Sequence, residues 1–208
     1  MSGSTLEFFF DFSSPFSYLG ATQVEALAQR AGATLVWRPF LLGGLFRTIG
    51  TSDVPFLEMS EAKRKHSLAD MYRWAAHWNV PFQWPSRFPM RTILPLRVAL
   101  AAGDALAPFV HAAFRAYWAE DQDIADESVI RALVAAAGLP AETLRAAGEG
   151  PAKEGLKKNG EEAAARGVFG APTFIVRQAG ADEDLLFWGQ DRLELVEKAL
   201  GGWRPRLG

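Results

Sequence analysis

The sequence predicts an α/β fold in which a β-α-β unit at the start and a β-β-α unit at the end bracket an all-helical insertion. Three observations carry this. The run Thr5 to Phe12 is apolar or aromatic at nearly every position and leads directly into a helix-start signal at Ser14-Pro15. From about Pro55 to Gly150, helical spacings and alanines dominate and strand-like runs are scarce. After that, two short β-rich runs and a final amphipathic segment close the chain.

The elements follow in order. An unbroken apolar run such as Thr5 to Phe12 suits a strand buried on both faces, as in the middle of a sheet. Ser14 then reads as an N-cap and Pro15 as the first helical residue, whose missing N–H costs nothing there. The helix runs to about Arg30, and Gly32 stops it. Thr34 to Pro39 is a second strand, placed by its proline at an edge or a strand end. A crossover helix between two strands implies that they are parallel. Leu41 to Val54, with glycines at 43, 44 and 50, reads as a loop or turn-rich link.

Helices are expected over Ser60 to Trp78, Thr92 to Gly103, Pro108 to Glu120, Glu127 to Ala137 and Ala141 to Ala147. Another, about Ala152 to Arg166, returns the chain. Ala171 to Val176 and Asp184 to Trp188, joined by a short polar link with Gly180, suit an antiparallel hairpin. Gln190 to Leu200 makes the last helix, ended by Gly201-Gly202. The expected domains are residues 1–54 with 151–208, and an inserted helical domain over 55–150.

Composition excludes several classes. The 208 residues suit one domain with an insertion, and the formal net charge of −2 carries no basic stripe for nucleic acid. The chain has no cysteine, so it has neither a disulfide framework nor a cysteine zinc site. His66, His77 and His111 are scattered and form no zinc pattern, so no metal is expected. No apolar run approaches the roughly 20 residues that cross a bilayer. The N-terminus shows no signal-peptide pattern, and a cytoplasmic protein is the expectation.

The β-α-β…β-β-α order resembles the thioredoxin-like plan, in which a Cys-x-x-Cys pair opens the first helix. Here that place holds Ser14-Pro15-Phe16-Ser17. Disulfide exchange needs a protein thiolate, which this chain lacks. A reactive sulfur must arrive with a ligand, and glutathione is the candidate.

Four pieces carry a closer resemblance: Phe10-Asp11-Phe12-Ser13-Ser14-Pro15-Phe16-Ser17-Tyr18-Leu19, Trp37-Arg38-Pro39-Phe40-Leu41-Leu42-Gly43, Gly167-Val168-Phe169-Gly170-Ala171-Pro172-Thr173-Phe174, and Phe187-Trp188-Gly189-Gln190-Asp191-Arg192-Leu193. In this order and separation they resemble the 2-hydroxychromene-2-carboxylate isomerases, relatives of kappa-class glutathione transferases in the DsbA-like thioredoxin-fold group. The resemblance spans essentially the whole chain.

It implies that Ser14 lies beside the sulfur of bound glutathione, where a hydroxyl and a helix N-terminus favour a thiolate. On local sequence alone Ser14 is a helix cap, and the two roles are compatible. It implies a cis Ala171-Pro172 bond, so that Ala171 pairs with the cysteinyl backbone of glutathione. Sequence alone favours trans, since cis occupies only about 5–6% of X–Pro bonds in folded proteins. It places Gln190 and Asp191 at the γ-glutamyl end and a lysine at the glycyl carboxylate. Lys63 fits that lysine best and Lys65 is the fallback, although Lys63, Arg64 and Lys65 also read as a solvated face. The family's glycine-asparagine pair after the second strand is replaced by Gly50-Thr51-Ser52-Asp53, so Thr51 or Asp53 takes its contact.

Among the aromatics of the insertion, Trp74, Trp78, Phe82, Trp84 and Phe88, most belong to the core. Some line a flat slot for an aromatic substrate beside Phe16 and Tyr18, and Arg91 or Arg97 receives its carboxylate. The implied reaction is the glutathione-dependent cis–trans isomerisation of 2-hydroxychromene-2-carboxylate and trans-o-hydroxybenzylidenepyruvate. Reversible thiolate addition makes the conjugated bond single, it rotates, and elimination restores it. The family also implies a homodimer. Two other readings stand beside it: a glutathione transferase acting on small electrophiles, and a non-catalytic thioredoxin-like binding module.

Overall fold

A computed structural model describes residues 3–52 and 54–205. Strand β1 (Thr5–Phe10) lies inside a four-stranded sheet. Its parallel neighbour is β2 (Thr34–Pro39), with Thr5 opposite Thr34 and Phe10 opposite Pro39. Its antiparallel neighbour is β3 (Thr173–Arg177), with Phe9 opposite Thr173, and β4 (Leu185–Trp188) completes the order β2-β1-β3-β4. The apolar run has the burial it predicted, because alternate side chains of β1 enter different cores. Phe8 and Phe10 face one side, with Phe8 stacked on Phe174 at 5.2 Å between ring centroids. Phe9 faces the other, edge-on to Phe40 at 6.1 Å and in one cluster with Val168 and Ile175.

Glu7 shares the Phe9 side, where its buried carboxylate accepts from Arg38 at 2.6 Å and from Arg166 at 2.7 Å. Glu162 bonds both arginines, and Arg166 reaches on to Asp184. Both guanidinium groups lie over the Phe9 ring, 5.9 and 5.8 Å from its centre. The network joins β1, β2 and the approaches to β3 and β4.

Helix α1 (Pro15–Arg30) begins as its cap predicts: the Ser17 N–H donates to Ser14 Oγ at 3.1 Å. Tyr18, Leu19, Val24 and Leu27 are buried along it. Between β2 and β3 come α2 (Leu42–Ile49), α3 (Pro55–Glu58), α4 (Glu61–His77), α5 (Ile93–Ala101), α6 (Leu106–Trp118), α7 (Glu127–Ala136), α8 (Glu142–Ala146) and α9 (Gly150–Ala165). The turn Gln190–Arg192 and α10 (Leu193–Leu200) end the fold. The inserted helices do not pack apart from the sheet. Phe10 and Phe12 meet Phe114, and the Trp118 indole N–H donates to the Phe12 carbonyl at 2.8 Å.

Two expectations need correction. Strand β1 stops at Phe10, because Asp11 and the residues after it turn toward α1. The segment expected as a loop contains α2. Its Gly43-Gly44 pair has poor helix propensity, and Leu41 supplies no side-chain cap. The cap comes from the turn after β1 instead: Asp11 Oδ2 accepts the Leu42 N–H at 2.7 Å, while Leu45 and Phe46 bury the apolar face. Gly50, with φ of 72°, terminates it.

Candidate active site

The end of β1, the start of α1, the start of β3 and the start of α2 meet around Ser14. Ser14 is 5% exposed. Its hydroxyl accepts from Ser17 N–H and donates to the Ala171 carbonyl at 3.0 Å. Four N–H groups ordinarily lack partners at a helix start, but here the supply is small. Pro15 has none, Ser17 N–H is capped and Tyr18 N–H bonds the Ser14 carbonyl at 3.1 Å. Among the described residues, Phe16 N–H is the first-turn donor left without a partner.

Asp11 holds this corner. Its Oδ1 accepts from Ser13 N–H at 3.0 Å while Oδ2 caps α2. Burial pushes its carboxyl above the usual range, against the opposing pull of hydrogen bonds from Ser13, Thr92 and Leu42. Sequence reading passed over Asp11. An acidic residue inside Phe8-Phe9-Phe10-Asp11-Phe12 was the available signal, since a buried carboxylate must find donors.

The Ala171–Pro172 bond is cis, as the resemblance implied; Phe88–Pro89 is also cis. The Pro172 carbonyl accepts from Gly189 N–H at 3.0 Å, which brings Gln190 and Asp191 alongside. Gly189 has φ of 102°, and a Cβ there would collide with the Asp191 carboxylate.

A cleft of about 440 Å³ opens over Ser14. Phe16, Thr51, Lys63, Trp84, Phe88 and Ala171 line it. A smaller cavity of about 180 Å³ shares Phe16, Ala171 and Trp188 with it and is lined by Pro172, Gln190 and Asp191. The structure thus brings together Ser14, Phe16, Thr51, Lys63, Trp84, Phe88, Ala171, Pro172, Gln190 and Asp191. Lys65 does not join them; it pairs with Glu61 at 2.7 Å and faces a neighbouring hollow. Asp53 lies outside the described residues.

Two expected substrate residues are elsewhere. Tyr18 points into the core, stacked on Phe114 and donating to the Pro81 carbonyl at 2.8 Å, because it lies on the buried side of α1. Arg91 is exposed and lines neither cavity. Arg97 lines a separate cavity, Trp74 and Trp78 line a hollow with residues of α1 and α10, and Phe82 stacks on Trp118. The slot's other aromatics, missed in the sequence, are Phe46, Phe56, Phe169 and Trp188. Phe56 stacks on Trp84 at 4.9 Å and Trp84 meets Phe88 at 4.7 Å.

Glutathione fits this donor set chemically. Its thiol is carried by the central residue of three, and Ala171, which Ser14 contacts, lines both cavities. Its ammonium suits the Asp191 end, and its far carboxylate suits Lys63.

Comparison with known proteins agrees with this fold. The model of the DSBA-like thioredoxin domain matches residues 5–201. The 2-hydroxychromene-2-carboxylate isomerase of Sphingobium xenophagum is 33% identical over 203 residues, covering 94% of this chain and 97% of that protein. Human glutathione S-transferase kappa 1 is 26% identical over 210 residues, covering 95% and 91%. A solved 2-hydroxychromene-2-carboxylate isomerase superposes with a TM-score of 0.79 at 27% identity, over 95% of this chain and 94% of that one. These relatives bear out the expected fold and the expectation of an enzyme.

Proposed function

This chain belongs to the 2-hydroxychromene-2-carboxylate isomerase family of DSBA-like thioredoxin domains, and on that premise we propose that it is a glutathione-dependent cis–trans isomerase. Its substrate pair is 2-hydroxychromene-2-carboxylate and trans-o-hydroxybenzylidenepyruvate. The observation that carries the reading is the Ser14–Ala171 contact at the floor of an aromatic cleft, in a chain without cysteine.

Bound glutathione supplies a thiolate that adds reversibly to the conjugated double bond, which is the covalent catalysis the chain cannot provide itself. Asp191 and Gln190 hold the γ-glutamyl end, Ala171 and Pro172 the cysteinyl backbone, and Lys63 with Thr51 the glycyl end. Phe16 N–H and the Ser14 hydroxyl, at the positive end of α1, favour the charged thiol and lower its pKa. The Ser14 hydroxyl donates to the Ala171 carbonyl, and it would have to turn from that carbonyl to donate to the sulfur of bound glutathione. Phe56, stacked on Trp84, and Phe88, tilted against Trp84 and edge-on to Phe56, make an apolar aromatic wall that takes an aromatic ring.

The same groups serve a kappa-like transferase, a reading favoured by the likeness to the human kappa enzyme. A cytoplasmic homodimer goes with either reading and is tested by light scattering. The ultraviolet spectrum of 2-hydroxychromene-2-carboxylate with enzyme, with and without glutathione, tests the activity. Conversion that needs glutathione and leaves it unconsumed supports the isomerase. Accumulating thioether makes it a transferase, and absence of glutathione binding leaves a binding module.

A further inference from the structure

We propose that the cavity between α2, α5 and α9 is a second binding site, for a small organic anion with an apolar body and a carboxylate head. Its volume is about 390 Å³, close to that of the Ser14 cleft and large enough for a ring-sized molecule. Helix α2 separates the two. Leu42 and Phe46 line the cleft, whereas Leu45 and Thr48 line the second cavity.

Arg97, Lys153 and Lys157 line this cavity against a single carboxylate, Glu161. Arg97 is half-buried and has no ion-pair partner among the described residues; its Nε is buried without a hydrogen-bond partner. The two terminal nitrogens of Arg97 are not closed off as Nε is, and they too have no hydrogen-bond partner among the described residues, so they are the donors open to an arriving carboxylate. The planar fork of arginine suits a carboxylate in particular. Lys153 also has no ion-pair partner among the described residues, and Lys157 reaches Glu161 only at 3.4 Å. The remaining wall is apolar, from Leu45, Ile93 and Leu156. That combination favours an aromatic or branched carboxylate over an inorganic anion, which would leave the apolar wall wet.

Backbone amide NMR of the whole protein titrated with benzoate tests the site, with benzyl alcohol as the uncharged control. Saturable shifts at Gly44, Thr48 and Gly160 are expected, at least fivefold weaker in Lys153→Ala and in Arg97→Gln, and absent with benzyl alcohol. Lys153 is exposed on α9, so Lys153→Ala carries the test if Arg97→Gln fails to fold. Shifts confined to the Ser14 cleft, non-saturable shifts, or equal affinity for benzyl alcohol or for the variants would overturn the proposal.

Discussion

The Ser14 hydroxyl donates to the Ala171 carbonyl across 157 residues of chain, at 3.0 Å. The contact joins the start of α1 to the cis-proline turn and ties together two groups of the proposed glutathione site. Ser14→Ala removes both the proton donor and the cap. Losing one preorganised donor to a developing or resident anion costs about 10²–10³-fold in turnover. Losing the cap costs only about 1 kcal/mol of stability, or a melting shift of about 2–4 °C. Steady-state kinetics beside a thermal melt separates the two, and turnover within threefold of wild type would reduce Ser14 to a cap.

Asp191 and Lys63 are expected to contribute modestly and about equally to glutathione affinity. Both are exposed, and an exposed ion pair is worth at most about 1 kcal/mol. Asp191→Asn and Lys63→Ala therefore each weaken binding about fivefold or less. Calorimetric titration with glutathione decides this, and unchanged affinity in both variants would sink the assignment of the two ends.

Glu7→Ala is expected to destabilise the fold by about 3 kcal/mol, measured by urea unfolding. Breaking a buried ion pair by removing one partner usually costs about 3–5 kcal/mol. Here Glu162 remains beside both Arg38 and Arg166, which keeps the loss at the lower end. A change below 1 kcal/mol would show that the Glu7 bonds add little to the sheet.

Arg177, and then Arg166, hold the Asp184 carboxyl below its ordinary 3.8. A depressed folded pKa gives stability that is present above the unfolded value and lost as pH falls through the folded one. Asp184→Asn should therefore be less stable than wild type at pH 7, and the two should converge in acid once Asp184 is protonated. Asp11 acts oppositely. Its folded pKa is raised by burial, so its contribution declines as pH climbs from 3.8 through the folded value. Parallel stability curves for wild type and Asp184→Asn across the acid range would contradict the ion-pair assignment.

Tyr18→Phe should leave turnover unchanged and cost about 1 kcal/mol, the net value of its bond to Pro81. Burial pushes the Tyr18 phenol up to about 12, so spectrophotometric titration should find it protonated well past pH 10. A large loss of turnover in Tyr18→Phe would restore it to the substrate site.

Elements whose signals are local were legible in the chain. The apolar run of β1, the Ser14-Pro15 start of α1 and the hairpin of β3 and β4 each depend on residues a few positions apart. What depends on distant partners was not legible. Helix α2 exists because a carboxylate 31 residues earlier caps it, which no local propensity reports. Tyr18 and Phe16 are two residues apart, yet helical rotation sends one to the core and the other to the cleft. Of the two arginines expected at the substrate carboxylate, Arg91 is exposed outside both cavities around Ser14, and Arg97 lies across α2 in a separate cavity. Residue chemistry is written in the chain, but which groups share a cavity is set by packing, where burial of apolar faces outweighs the preference of any single polar side chain.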